Sequence, residues 1–548
     1  MRIAPSTTSE TDTVLGRRVA RRALYKPAVM FAAAGAMPAA ASAASMTVGA
    51  AADIEGQVRA LLPELERYVT SGMAAFDVPG AAVGIVTGDR LVYAKGFGRR
   101  RKGGNEPVGA RTVFQIGSTT KAIGAATLAL AVDRGKLGWD HRVVDLYPAF
   151  ALKDPWVTRE FRVYDLMAQR SGLPPYANDL LSGLGFDADW LVHSLRFVEP
   201  TTSFRSTFTY TNITHLIAGR IVAKALGAPD WPMLATREIV EPLGMRDTSF
   251  TAAAIERAAD HAVGHRWTPS GSVEIPFTPL FPYPFGPAGD INSTVEDCAR
   301  WLRLQIGNGT FAGRRLISSE NLAVTRTAKV SISEAVAYAM GWIVIDTPNG
   351  RAVWHNGGTD GFGAQIGFLP HKGVGTIILT NQGNKGFPDA VGLWVFDKLL
   401  GNPETDHVKA ALARAKGQAV KEAALYRKRA SPLPAPAAGG LIGDYRSDML
   451  GTATLAAEGA GLLLMLKQTG ARLRLTPFDG ALFTVTLVAE GRFAPIAAGQ
   501  GNVPFGFAGF EADAEGHLSQ LRWTVEGQTF AWNKAQTAPA PGQPHPVE

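Results

Sequence analysis

Ile54, Val58, Leu61, Leu62, Leu65 and Val69 recur at helical spacing, so the chain is predicted to open its folded part with an amphipathic helix. The apolar runs 81–87 and 91–96 flank Gly88-Asp89-Arg90 and read as a β-hairpin. From Ala122 to Leu130 the chain is apolar on every side, the mark of a helix buried in the middle of a domain. Helical and loop-rich texture then continues to about Glu320, with breaks at Ser171-Gly172-Leu173-Pro174-Pro175 and in the proline-rich 276–287. Strand character returns at 341–346, 363–369 and 375–380, followed by a helix around 390–400. The helical stretch is therefore an insertion between parts of a sheet. A polar segment over 404–429 leads into the proline-rich 431–440. Beyond it, short apolar or alternating runs (453–455, 462–466, 473–475, 483–488, 505–510, 521–525) are separated by Gly and Asp, which predicts a small antiparallel barrel or sandwich.

Length and composition agree with two or more folded units: 548 residues, 46% hydrophobic and 19% charged. The expected division is a leader over 1–43, a first domain over 50–400, a helical segment and proline-rich linker over 401–440, a β domain over 441–534 and a disordered tail over 535–548. The leader has the order of an export signal: basic Arg17, Arg18, Arg21, Arg22 and Lys26, an apolar run over 28–41, then Ala41-Ser42-Ala43 as a cleavage site. Arg21-Arg22 is similar to a twin-arginine signal, and an ordinary secretory signal is the alternative. Either places the mature protein in the periplasm or outside the cell. No later apolar run reaches the roughly 20 residues of a transmembrane helix.

The formal charge of +7 changes meaning once the leader is set aside. Its six basic and two acidic residues carry four of the seven charges, leaving +3. Nucleic acid is thereby an unsupported partner, and Arg99-Arg100-Arg101-Lys102 is expected as a solvated hairpin tip. Cys298 is the only cysteine, so no internal disulfide forms, and it is expected to pack inside a helix.

Phe114-Gln115-Ile116-Gly117-Ser118-Thr119-Thr120-Lys121 reads as a strand end feeding the buried helix, with Ser118 as N-cap. Unpaired N–H groups at a helix start would stabilise a negative oxygen forming beside that serine. Lys121 lies three residues on, on the same face, and a buried lysine can lose its proton near neutral pH and serve as base for a hydroxyl. The bland reading is a capped core helix with a snorkelling lysine. His261 and His265 have the spacing of a metal-ligand pair but lack the glutamate of H-E-x-x-H, and no metal or cofactor is called for. An α/β-hydrolase is disfavoured because no G-x-S-x-G occurs.

Two further pieces, Tyr210-Thr211-Asn212 and Trp354-His355-Asn356-Gly357-Gly358, give Ser118 company. With Pro242-Leu243-Gly244-Met245, Met340-Gly341-Trp342 and Thr380-Asn381 they resemble the serine β-lactamase and penicillin-binding-protein group, in its branch of class C β-lactamases, D-aminopeptidases and esterases. The resemblance implies an α/β (α+β) fold: an antiparallel sheet with a helical subdomain, the β domain resembling a small lipocalin-like barrel. It implies that Ser118 is the acyl-accepting nucleophile, Lys121 its base, and Tyr210 the phenolate or proton relay to the leaving group. Asn212 would bind Lys121 and the substrate amide, Gly357 would let substrate lie along the strand edge, and the N–H groups of Ser118 and Gly358 would form the oxyanion hole.

His355 stands where many relatives carry a lysine, so the resemblance implies a neutral group there and weak binding of substrate carboxylates. Gln169 replaces a histidine two residues before Ser171-Gly172, and that segment is left without a role. The substrate expected is a short peptide or amide, including D- or non-standard residues, with linearised microcystin-type peptides one candidate. A carboxylesterase, a β-lactamase, and a penicillin-binding sensor or scaffold without turnover are the alternatives. The oligomeric state is left open.

Overall fold

The computed structural model describes residues 48–535, with side chains from residue 53 onward. The leader over 1–43 and all but the first residue of the tail over 535–548 lie outside the described residues. The described chain forms two compact units, one of residues 48–425 together with 494–501, the other of 426–493 with 502–535.

The first unit opens with α1 (Val48–Phe76), whose Ile54, Val58, Leu65 and Val69 are buried as the helical spacing requires. The hairpin β1 (Gly80–Thr87) and β2 (Arg90–Gly98) follows. After a two-residue strand β3 (Phe114–Gln115) the chain enters α2 (Thr120–Asp133) and the helical insertion, which includes α3 (Ile213–Ala225). β4 (Asn292–Ser293) pairs with β3, and α4 (Val295–Ile306) comes next, with Cys298 buried in it. The chain then returns to the sheet through β5 (Val330–Ser331), β6 (Val336–Tyr338), β7 (Ile343–Thr347), β8 (Gly350–Gly358), β9 (Gly363–Leu369) and β10 (Val374–Thr380).

The eight strands pair antiparallel in the order β2-β1-β10-β9-β8-β7-β6-β5, so the first hairpin docks on the last strand through Ala81 opposite Thr380. Every residue of β1, β9 and β10 is buried because both faces of the sheet are covered. On one face Val83, Ile85, Trp354 and Ile378 share a core with α1 and α5 (Phe387–Leu400). On the other, Val295 and Leu302 of α4 lie against Gly84 and Gly375.

The His355 motif ends a strand, β8; Pro348 and Asn349 make the turn before it. The segment over 404–429 is largely helical, as expected, and forms α6 (His407–Leu425), which buries Val408, Ala411 and Ala415 in the first unit's core, with Val408 N donating to Tyr68 Oη at 3.1 Å. The basic run over 99–102 is exposed, as expected, in a turn closed by an antiparallel bridge between Arg99 and Pro107; there Arg101 pairs with Glu274 at 2.7 Å, Lys102 with Asp77 at 2.6 Å, and Arg100 donates to the Ala259 carbonyl at 2.8 Å.

The second unit is a closed barrel of eight antiparallel strands in sequence order, β11 (Gly443–Ser447), β12 (Gly451–Glu458), β13 (Gly461–Leu466), β14 (Arg472–Asp479), β15 (Leu482–Leu487), β16 (Phe507–Ala512), β17 (Leu518–Val525) and β18 (Gln528–Lys534). Tyr445 opposite Lys534 closes it, which removes the exposed edges a sandwich would keep. Alternate residues such as Leu462, Leu464, Leu473, Leu475, Trp523 and Trp532 are buried.

Candidate active site

Between β3 and α2 the chain makes a single 3-10 turn, Gly117–Thr119. Ser118 sits inside that turn and is not the cap of α2; Thr119 occupies that place and no side chain caps the helix. The turn is possible because Gly117 takes φ +51, and a Cβ on it would lie 2.8 Å from Gly358 N. Likewise a Cβ on Gly357 would lie 2.0 Å from the Ile116 carbonyl oxygen. Two glycines thus let the serine turn lie against the end of β8, bringing Ser118 beside Gly357 and Gly358.

Lys121, in the first turn of α2, is fully buried. Its Nζ lies 3.0 Å from Ser118 Oγ, 2.6 Å from Asn212 Oδ1 and 2.7 Å from the Ala288 carbonyl oxygen. Burial pulls this ammonium down from its ordinary value to about 7, and the Asp179 carboxylate works the other way. The last two contacts are to acceptors, so in the neutral amine they engage two N–H groups. The remaining lone pair is directed at Ser118 Oγ, the partner able to give it a proton.

Tyr210 precedes α3, its ring face 4.8 Å from Lys121 Nζ and its phenol close enough to Ser118 for that side chain to oppose the effect of burial on it. Burial pushes this phenol well above its ordinary value, so the resting hydroxyl keeps its proton. Its backbone is anchored by Tyr176 N, which donates to the Tyr210 carbonyl at 2.6 Å, and the two rings pack with centroids 5.3 Å apart.

Gln169, which sequence reasoning left without a role, clamps this loop. It is buried with φ +55; Thr211 N donates to its Oε1 at 2.6 Å and its Nε2 donates to the Thr211 carbonyl at 3.0 Å. Thr211 separates Tyr210 from Asn212, so one amide side chain fixes the spacing of both.

His355 is also buried, at 1% exposure. The Asn356 carbonyl can only accept, so Nδ1 donates to it at 2.5 Å, and Nε2 accepts from the Tyr338 hydroxyl at 3.0 Å. Burial and the nearby Lys121 lower the imidazole to about 3. The ring is therefore neutral around neutral pH, both its nitrogens are engaged internally, and its centroid lies 6.2 Å from that of the Tyr210 ring. Asn384 and Asp389 steady the adjoining strand, Asn384 Nδ2 donating to the Gly357 carbonyl and Asn356 Nδ2 to Asp389, at 3.0 and 2.9 Å.

Asp179, Tyr338 and the Ala288 carbonyl were not foreseen; each comes from a loop or strand remote in sequence and carries no motif. Asn212 Nδ2 donates to Asp179 Oδ2 at 2.5 Å. His261 and His265 do not converge on a common point: His265 Nδ1 contacts the Asn381 carbonyl at 2.8 Å and His261 Nδ1 that of Ala258 at 2.6 Å.

The two-sided helix-and-sheet domain thus gathers a serine, a lysine and a tyrosine at the end of a strand. Residues 65–399, more than half of the chain, match the Beta-lactamase family model, and the chain belongs to that family. The unguisins hydrolase of Aspergillus campestris is 28% identical over 337 residues, 58% of this chain, which spans 61% of the length of that relative. Penicillin-binding protein 4 of Amycolatopsis lactamdurans is 28% identical over 321 residues, 56% of this chain and 81% of that one. The octameric penicillin-binding protein homologue from Pyrococcus abyssi is alike in fold, with TM-score 0.56 at 20% identity over 86% of this chain and 100% of that chain.

Proposed function

We propose that the chain is an exported serine hydrolase that cuts short peptides or amides through an acyl-enzyme on Ser118. The observation that carries this reading is the set of three Lys121 contacts, which aim a neutral amine at Ser118 Oγ. Lys121 takes the proton as Oγ attacks the carbonyl carbon. The oxyanion that forms would be received by the N–H groups of Ser118, in the turn, and of Gly358, at the end of β8 against which Gly117 lies. The high affinity of Tyr210 for its proton favours the relay over the phenolate: its hydroxyl hands a proton to the leaving amine and is recharged from Lys121. Water then releases the acyl group by the same route in reverse.

Neutral His355 provides no cation for a substrate carboxylate, which favours peptides, amides or esters without a carboxylate beside the scissile bond. Linearised microcystin-type peptides remain one candidate. The basic, apolar and small-residue order of residues 1–43 supports a periplasmic or secreted location. Among the described residues no helix is long and apolar enough to cross a membrane.

The test is labelling by a fluorophosphonate together with a panel of D-amino-acid amides, short peptides, p-nitrophenyl esters and nitrocefin. Labelling confined to Ser118, with turnover of amides or peptides, is expected. Ser118→Ala should lose about 10⁴-fold or more in kcat with its circular dichroism unchanged. Efficient nitrocefin hydrolysis would install the β-lactamase alternative, ester turnover without amide turnover the esterase, and a stoichiometric adduct without release the sensor.

A further inference from the structure

We propose that Asp179 is a positioning residue for this reaction: by holding the Asn212 side chain in one orientation, it directs the lone pair of Lys121 at Ser118. The inference rests on the reading of Ser118 as nucleophile and Lys121 as its base. A primary amide has a donor end and an acceptor end of nearly the same shape, so Asn212 can sit in its pocket either way round. An ionised carboxylate accepts only. With Asp179 Oδ2 at 2.5 Å, Asn212 must present Nδ2 to it, and Oδ1 is then the atom that meets Lys121 Nζ at 2.6 Å. The Ala288 carbonyl at 2.7 Å engages the second N–H, and the third direction leads to Ser118.

Reversed, the amide would set its own N–H against Lys121. A neutral amine would then accept from Asn212 and lose its aim at Ser118. Asp179 belongs to the turn that also anchors Tyr210: its N–H donates to the Tyr176 carbonyl at 3.0 Å, while Tyr176 N donates to the Tyr210 carbonyl at 2.6 Å. One short turn therefore supports two sides of the site.

The carboxylate has a second, electrostatic effect. The titratable groups facing Lys121 are Tyr210, His215 of α3, His355 of β8 and Asp179. Both histidines are driven neutral by burial and by Lys121 itself, and Tyr210 keeps its proton. Asp179 is thus the one negative charge among them, opposing the effect of burial on Lys121.

Two variants grade the effect. Asp179→Asn keeps a partner for Asn212 but loses the charge, and its amide, able to donate as well as accept, no longer imposes one orientation. Asp179→Ala removes the partner altogether. The rate of Ser118 labelling by a fluorophosphonate is followed against pH for each variant and the wild type, with steady-state kinetics beside it. For Asp179→Asn, whose amide can meet Asn212 either way round, the plateau rate should fall about three- to tenfold, while the midpoint of the rise moves down by about one pH unit, as removal of a nearby opposite charge requires. For Asp179→Ala the plateau and kcat should fall about 10- to 100-fold with KM little changed, the cost of a misdirected base. A wild-type plateau in both variants would overturn the proposal. If the Ala variant does not fold by circular dichroism, the plateau of the Asn variant decides alone. Failure of the wild type itself to label at Ser118 would instead remove the underlying hydrolase reading.

Discussion

Lys121 and His355 face one another across Tyr210, both nitrogen bases and both buried, and burial moves both far below their ordinary values. The consequences are opposite. The amine starts high and arrives at about 7, where it can exchange a proton in every cycle; the imidazole starts near neutrality and arrives at about 3, where it no longer titrates in use. Their hydrogen bonds follow suit. Lys121 has acceptors for its N–H groups and one partner that can give a proton back, whereas His355 has one donor and one acceptor matched to a fixed neutral tautomer. In a buried pocket the residue suited to neutral-pH chemistry is the one whose free value looks too high.

The largest way to break this comparison is Lys121→Arg, which retains a cation that cannot give up its proton. A loss of about 10²- to 10⁴-fold in kcat is expected by steady-state assay. Next is His355→Lys. An ammonium there would be a second cation beside Lys121, without a carboxylate partner for its charge. The variant should lose about 3–5 kcal/mol of stability by denaturant melting, and carboxylate-bearing substrates should gain nothing.

A smaller test sharpens the contrast through pH. kcat/KM should rise about tenfold per pH unit up to about pH 7 and flatten above it, reporting Lys121, with no further step from His355 between pH 5 and 8. Stability carries the complementary sign. His355 is protonated below about pH 6.5 in the unfolded chain but only below about 3 when folded, so its contribution is intact above about pH 7. It erodes as pH falls from about 6.5 toward 3. The smallest effect is that of Tyr338→Phe, which removes one buried hydrogen bond to His355: about 1 kcal/mol by thermal melting and less than about fivefold in kcat/KM.

The four side chains in contact around Lys121 divide by legibility. Ser118, Tyr210 and Asn212 were legible because their chemistry is written in short motifs with fixed spacing. Asp179 was not, since it reaches Asn212 from a turn whose geometry depends on left-handed backbone at Tyr176 and Asn178, for which the local sequence has no clear signal. The hairpin, the buried helix and the barrel strands followed from periodicity. The 3-10 turn did not, because what shortens the approach to α2 is the contact of Gly117 with Gly358, two residues far apart in the chain. His355 was legible as part of a motif and its surroundings were not: Tyr338, its partner, lies on β6, and a contact between strands cannot be read from one strand alone.

The docking of the first hairpin on the last strand, Ala81 against Thr380, has a consequence for biosynthesis. A chain emerging from the ribosome exposes Ser118 and Lys121 early, yet β8 and the strands flanking it come much later. At about 5–20 residues per second the interval is on the order of tens of seconds. During that time Lys121 is solvated and carries its full charge, and Ser118 is an ordinary alcohol. On the proposed reading the nascent polypeptide is thus chemically silent until long-range closure of the sheet, and reactivity would be switched on by the completion of folding and not by the synthesis of the residues proposed to perform it.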